Sequence, residues 1–498
     1  MMPRALSLPA LLAAMAIACG DNSTNPEPVP TGIRFISETG FSDTTGKILN
    51  EPLIVEVRDT LGRLAPLGTA VRFAALSLDN VMSPYDPQVE AYVHGIAETE
   101  FRDVSAATTD RLGRAVVYVK LGYRAGQARV VVSAPTLRVI DTASYTILPG
   151  AATQLGVSPG DSTLYVGEAY PLAGRVKDAY GNVRNDPVTW STTASGLTVD
   201  AATGLVTASA FGRHSIRAVS GTLEKSVSVS VVPQGRIVAV DLNESSNLIA
   251  FNLNGTNRKT LAYSVYHGGV GLYVSWIPNT NLVVYTNFED GFQVLRTVDE
   301  AGTSNFFFTS PPPQVSHQAD PVASANGNWV YFSAYDSRCS SVNYCLYRAR
   351  SDATDPELLG SFIAHGEMTR HPAPSPDGSK VAFVSGGSSI TGDNAIRIFD
   401  VATRVVSSLI AQGSHPRWSP TGEQIAYISS GKRLSLVNPD GSGNRAVNGK
   451  SYGGPIAWSP DGQWILAGVS GPLELVHVAT GTTIPLPYSI SMAAPSWK

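Results

Sequence analysis

His371-Pro-Ala-Pro-Ser-Pro-Asp-Gly-Ser-Lys-Val-Ala-Phe returns three times with small changes. The copies are His415-Pro-Arg-Trp-Ser-Pro-Thr-Gly-Glu-Gln-Ile-Ala-Tyr, Pro455-Ile-Ala-Trp-Ser-Pro-Asp-Gly-Gln-Trp-Ile-Leu-Ala and the weaker Asp320-Pro-Val-Ala-Ser-Ala-Asn-Gly-Asn-Trp-Val-Tyr-Phe. Gly327, Gly378, Gly422 and Gly462 hold one slot, at spacings of 51, 44 and 40 residues. A unit recurring at this period means an array. Each copy reads as a short strand, a turn rich in Ser, Pro, Asp and Gly, and an apolar strand, which is a hairpin. Period and strand content together suit one blade of a β-propeller.

The repeats resemble the TolB-type, WD-like propeller repeat, in which a Pro-x-Trp-Ser-Pro-Asp-Gly stretch precedes an apolar strand. Tryptophans stand at the blade starts at Trp276, Trp418, Trp458 and Trp497, whereas Ala323 and Pro374 depart from the pattern. Third strands follow at Asn394–Asp400, Leu434–Gly441 and Leu473–Val478, with shorter fourth strands such as Val405–Ile410. Five blades start near Gly271, Ala319, His371, His415 and Gly454. The sixth is expected from both ends of the segment. Residues 236–263 supply three strands, and Ala494-Pro-Ser-Trp-Lys supplies the inner one. Such a pairing closes the ring and removes its open edges.

At the other end, Arg4 precedes an apolar run from Ala5 to Ala18, ending in small residues before Cys19. This is the pattern of a signal peptide. The small residues before the cysteine resemble a bacterial lipobox. On that resemblance residues 1–18 are removed, Cys19 carries lipid, and lipid chains hold the protein on a membrane face. Residues 19–30 are polar and Pro-rich and read as a semi-rigid tether. Gly20 after the lipidated cysteine implies the outer membrane, on its periplasmic or surface face.

Charged residues make up only 15% of the chain and the net charge is −4, which gives no electrostatic case for nucleic acid. Three cysteines fit an exported protein. With Cys19 assigned to lipid, Cys339 and Cys345 are expected to form a local disulfide worth about 2 kcal/mol. A two-Cys metal site there lacks His partners at ligand spacing.

Two further β units precede the array. In residues 150–233, short alternating strands with turns every 8–12 residues argue for a sandwich. Val188-Thr-Trp-Ser and Gly204-Leu-Val-Thr-Ala resemble hallmarks of the group 2 bacterial Ig-like domain, with Trp190 as core plug. Residues 31–149 read similarly. Ile54-Val-Glu-Val-Arg-Asp-Thr-Leu-Gly-Arg and Thr109-Asp-Arg-Leu-Gly-Arg-Ala-Val-Val-Tyr-Val resemble the group 1, invasin-type pattern. A segment of roughly 77–107 sits inside as either a long loop or an added hairpin. The expected fold is therefore all-β: two Ig-like β-sandwiches in series, then a six-bladed β-propeller over residues 234–498 closed by N- and C-terminal strands.

Chemistry is sparse. The chain has no Gly-x-Ser-x-Gly elbow, P-loop or His-Glu-x-x-His, so a non-enzymatic protein is expected, with no cofactor. The turns at Asn438-Pro-Asp-Gly and Asp178-Ala-Tyr-Gly-Asn lack EF-hand spacing and read as turn chemistry. One constellation stands out. The slot four residues before the repeat serine holds Asp320, His371 and His415 in three consecutive blades, with Tyr273 and Gly454 at the same level in the flanking blades. Such residues would ring one mouth of the channel and suit a metal or a carboxylate. Alternatively, they cap the start of a strand. The leading expectation is a lipid-anchored envelope protein that displays its propeller to a protein, peptide or glycan, with adhesion a close variant. The rival is a metal-dependent hydrolase or lyase working at the channel mouth.

Overall fold

The computed structural model describes residues 31–76, 90–241, 246–265, 273–307, 315–337, 344–360, 368–386, 394–468, 473–486 and 492–498. The expected signal peptide, Cys19 and tether lie outside them, as does Cys339. The protein is all-β: no α-helix occurs among the described residues, only a 3-10 turn at Pro135–Leu137. No helix among them is long and apolar enough to cross a membrane. The chain divides into two compact units, residues 1–154 with 176–185, and residues 155–175 with 186–498.

In the first unit, burial alternates along Arg114–Leu121 and Gly126–Ala134 with the two-residue period of a strand that has one face inside. Gly32–Phe35, Leu53–Arg58, Arg114–Leu121 and Ala91–Gly95 form one sheet in that order. Ser42–Thr44, Val139–Leu148, Gly126–Ala134, Ala70–Ala75 and Val104–Thr108 form the other. Val55, Val57, Val71, Phe73, Val117, Val119, Val130 and Val132 fill a single core between them. Residues 77–89 of the 77–107 segment lie outside the described residues, and in the rest Val93 and Arg102 form an isolated antiparallel bridge. The segment's Ala91–Gly95 strand pairs with Arg114–Leu121 in one sheet, and its Val104–Thr108 strand pairs with Ala70–Ala75 in the other. Val93 is fully buried, so the core recruits this segment. The Asp178 turn is held as turn chemistry requires. Its carboxylate accepts the Gly150, Tyr180 and Asn182 backbone N–H groups at 2.8, 2.9 and 2.9 Å.

In the second unit, Ser162–Tyr165, Leu223–Val232, Gly212–Ser220 and Thr189–Ser191 make a four-stranded sheet, with Ala169–Pro171, Leu205–Ala208 and Leu197–Val199 in a second. Trp190 packs with Leu164, Ile216 and Val229 in their shared core. Only Pro233, Gln234 and Gly235 separate the Leu223–Val232 strand from the next, Arg236–Asp241. Across that short connection Phe211 meets Trp464 edge-on at 5.5 Å, and Ser230 Oγ donates to the Pro485 carbonyl at 3.2 Å.

Five antiparallel sheets follow, four of four strands and one of seven, the last combining the fourth and fifth of six successive units. The units' inner strands are Val274–Trp276, Val315–Ala323, Met368–Pro374, Ala411–Trp418, Ile456–Trp458 and Met492–Trp497. Each packs against the next, and Met492–Trp497 packs against Val274–Trp276, so the six form a closed ring. Met492–Trp497 pairs antiparallel with Arg236–Asp241, Ile237 opposite Trp497 and Val238 opposite Ser496. The sheet that contains Arg236–Asp241 is thus assembled from both ends of the segment, as its missing inner strand required. Apolar clusters lie between successive sheets. Trp276, Trp418, Trp458 and Trp497 pack in them, in keeping with a core role.

The repeat turns share one hydrogen-bond set. The serine carbonyl accepts the glycine N–H at 2.9 Å at all four positions, Ser324/Gly327, Ser375/Gly378, Ser419/Gly422 and Ser459/Gly462. These glycines adopt φ of 69° to 77°, where a side chain is disfavoured. The serine hydroxyl accepts the backbone N–H five residues on, at 3.0 Å for Lys380 and 2.9 Å for Trp464. It also meets Asp377 Oδ1 at 2.6 Å and Asp461 Oδ1 at 2.5 Å. This explains why Ser and Asp recur together.

One expected strand does not form. Val405–Ile410 contributes only an isolated bridge, Phe399 to Val406. The Ser407 hydroxyl intercepts the Ile398 N–H at 2.9 Å where a ladder carbonyl would stand. Ala411 and Gln412, the start of the next inner strand, complete that sheet instead.

Candidate functional site

Asp320, His371 and His415 sit at the same point of three consecutive inner strands, and each occupies left-handed backbone, at φ 56°, 55° and 56°. The register slips at each, between Ala319 and Val322, Arg370 and Ala373, and Ser414 and Arg417. These are β-bulges, which re-aim side chains. Asp and His tolerate φ > 0 better than most residues, and the proline that follows each offers no N–H to the ladder. Asp-Pro and His-Pro are therefore the local cause of the bulge.

The bulges bring the predicted residues together. The His371 and His415 rings stack with centroids 4.4 Å apart and planes 20° apart. Tyr273 lies 5.0 Å from His371 and 5.9 Å from His415, ring to ring, and its hydroxyl is hydrogen-bonded to His415 Nδ1. Gly454, also at positive φ (82°), brings no side chain. Asp320, with no accessible surface, accepts Arg370 Nε at 2.7 Å and Nη2 at 3.3 Å, and the His371 backbone N–H at 3.2 Å. The arrangement is thus both a strand-start device and a polar centre inside the ring.

Two arginines complete it, and neither stands out in the repeat pattern. Arg370 also lies over the Tyr344 ring at 4.9 Å, and Tyr344 donates to Gln293 Oε1 at 2.7 Å. Arg417 lies 5.7 Å from the Tyr273 ring centre, and its Nη1 donates to the Pro416 carbonyl at 3.0 Å. Strand alternation points to Arg417, which shares a face with His415 two residues earlier. Arg370 is adjacent to His371, and only the bulge lets both reach the centre.

Charge follows burial. Burial, reinforced by the two guanidinium charges, holds His371 well below the usual histidine range. Burial, His371 and Arg417 do the same to His415. Burial raises the Tyr273 phenol. It works against the Arg370 guanidinium too, but the Asp320 charge and hydrogen bonds outweigh it and raise that group. Arg417 has no such partner, and burial lowers it.

The rival metal reading needs Asp320 and the two imidazoles to converge on one ion. Asp320 is engaged by Arg370, and two stacked rings aim their ring nitrogens within nearly parallel planes rather than at a common point. No group of three His, Cys, Asp or Glu side chains arranged for a metal occurs among the described residues. Cys345 is buried and disulfide-bonded. Its expected partner, Cys339, is outside the described residues. Asp440 accepts the Ser442 N–H at 2.9 Å and its hydroxyl at 2.6 Å, a turn contact and not a calcium loop.

Comparison with known proteins places one part of the chain. Residues 151–231 match the model of the bacterial Ig-like domain, group 2. No curated protein sequence matches the chain. Among solved structures it is similar to TolB from Acinetobacter baumannii, with 14% identity over 70% of this chain and 99% of that one, at a TM-score of 0.43. A putative TolB from Agrobacterium tumefaciens is similar at 16% identity, 51% and 88% coverage and a TM-score of 0.38. An oligogalacturonate lyase from Vibrio parahaemolyticus is similar at 12% identity, 68% and 86% coverage and a TM-score of 0.36.

Proposed function

We propose that this is a non-catalytic, lipid-anchored envelope protein in which residues 234–498 form a six-bladed, TolB-like β-propeller. Two Ig-like modules, the first of group 1 type, form its stalk, and the propeller face binds a protein partner. Cys19 is the anchor, and the outer membrane is the address. The observation that carries this reading is the closed ring of inner strands. A ring of this kind gives a rigid scaffold that holds loops at fixed positions, and binding residues concentrate on such loops. The polar centre supports binding over catalysis. Its carboxylate is committed to the Arg370 guanidinium, which keeps it from serving as a free base.

The test is affinity capture of the full-length chain from envelopes after crosslinking, beside a Cys19→Ala variant. The reading expects one recurrent protein partner, membrane fractionation of the wild type, and release of the variant. Equal fractionation of both chains refutes the anchor. Recovery of the chain without any protein partner refutes the binding role.

A further inference from the structure

Among the described residues the ring centre holds an excess positive charge. Two partly buried guanidiniums, Arg370 and Arg417, share it with one carboxylate, Asp320, and the two imidazoles. Asp320 is committed to Arg370 by two contacts. Arg417 donates to a single carbonyl oxygen, and no carboxylate among the described residues lies within ion-pair distance of it. A guanidinium carries five N–H donors, so most of this fork has no acceptor among the described residues. A buried cation without a counter-charge is unfavourable, and proteins keep such groups where a ligand supplies the charge. A second observation points the same way. His371 Nδ1 is buried and has no hydrogen-bond partner, although its ring lies against His415 and Tyr273. His371, His415 and Arg417 nonetheless each retain some accessible surface, as groups lining an internal space do.

We infer that the ring centre is a carboxylate-binding site, with Arg417 as its charge anchor and His371 and His415 as hydrogen-bonding walls. The charge count selects a carboxylate. With Arg370 neutralised by Asp320, one positive charge remains among the described residues, and a single carboxylate cancels it in the bidentate geometry that the guanidinium fork favours. A phosphate dianion would over-compensate beside Asp320. The carboxylate can belong to a peptide or to an acidic sugar, and the assignment does not depend on the proposed partner at the outer loops.

The experiment is calorimetric titration of the folded, full mature chain with acetate at constant ionic strength, with acetamide as the neutral isostere. Wild type, Arg417→Lys and Arg417→Gln are compared. Saturable acetate binding is expected in the wild type only over acetamide. It should weaken roughly 30-fold or more in Arg417→Gln, the scale for removing one partner of a buried charge pair. Arg417→Lys, which keeps the charge on a side chain without a fork, should fall between them. Two further arms, a peptide with a free carboxyl terminus against its amide and glucuronate against glucose, identify the source: either charged form binding better than its neutral twin supports the site. Absence of saturable acetate binding in the wild type, or equal binding in Arg417→Gln, overturns it.

Discussion

Asp320→Asn isolates the electrostatic weight of the ring centre. The exchange keeps size and keeps tolerance of the left-handed backbone at φ 56°, so it removes a charge and little else. Asp320 has no accessible surface and Arg370 retains 19%, so the pair is buried. Breaking a buried pair by removing one partner costs about 3–5 kcal/mol. The upper end applies, because the orphaned Arg370 then shares the centre with Arg417, with no carboxylate between them. For a body of this size 1 kcal/mol moves the melting midpoint by about 2–4 °C, so the ring's transition should fall by roughly 10–20 °C. Differential scanning calorimetry measures this. Adding Arg370→Met to Asp320→Asn should recover most of the loss, because replacing both members of a buried pair by groups of similar volume is close to neutral. Asp320→Ala should be worse than Asp320→Asn by about 1–3 kcal/mol, the cost of left-handed backbone without a tolerant side chain. A single variant that melts with the wild type, or a double variant no better than the single, refutes the reasoning.

Three other outcomes follow from the same structure. His371 and His415 have folded-state pKa values below the ordinary 6.5, so the unfolded chain binds more protons on acidification. Stability should therefore hold above about pH 6.5 and fall below it, by up to about 1.4 kcal/mol per pH unit for each imidazole. Urea midpoints between pH 7 and 5 should show this fall, and a His371→Asn/His415→Asn variant should flatten it. Trp190→Ala should cost about 3–5 kcal/mol and lower the protease resistance of the Ig-like domain around it, read by limited proteolysis; an unchanged digest contradicts the core assignment. Gly462→Ala forces a side chain onto φ 69° and should cost about 1 kcal/mol, seen as a small drop in the calorimetric midpoint.

Much of the fold was visible in the residues because the repeat turns are chemically over-determined. Ser375, Asp377 and Gly378 each satisfy a separate demand of one turn, so the pattern survives variation at Thr421 and Asn326. Closure was visible as arithmetic: residues 236–263 lacked an inner strand, and Ala494–Lys498 had no other partner. The Val405–Ile410 strand failed because a side chain, Ser407, takes a position that ladder reasoning reserves for backbone. The pairing of Ala91–Gly95 and Val104–Thr108 was hidden because the two strands enter different sheets, a long-range choice that local turn chemistry does not mark. At the ring centre Asp320, His371, His415 and Tyr273 were found by spacing. Arg370 was not, since a bulge breaks the alternation that places it opposite His371; Arg417 stands two residues after His415, where alternation offers a signal that the repeat pattern does not single out.

Removing residues 492–498 from the chain tests ring closure most directly. The segment carries Trp497, packed with Trp464 and Leu466, and covers Ile237 and Val238, both without accessible surface. Losing Trp497 alone is worth about 3–5 kcal/mol, so calorimetry of the shortened chain should show the whole ring melting roughly 10 °C or more below the intact protein. A shortened chain whose ring melts at the same temperature as the intact one would contradict a wheel closed by its own last strand.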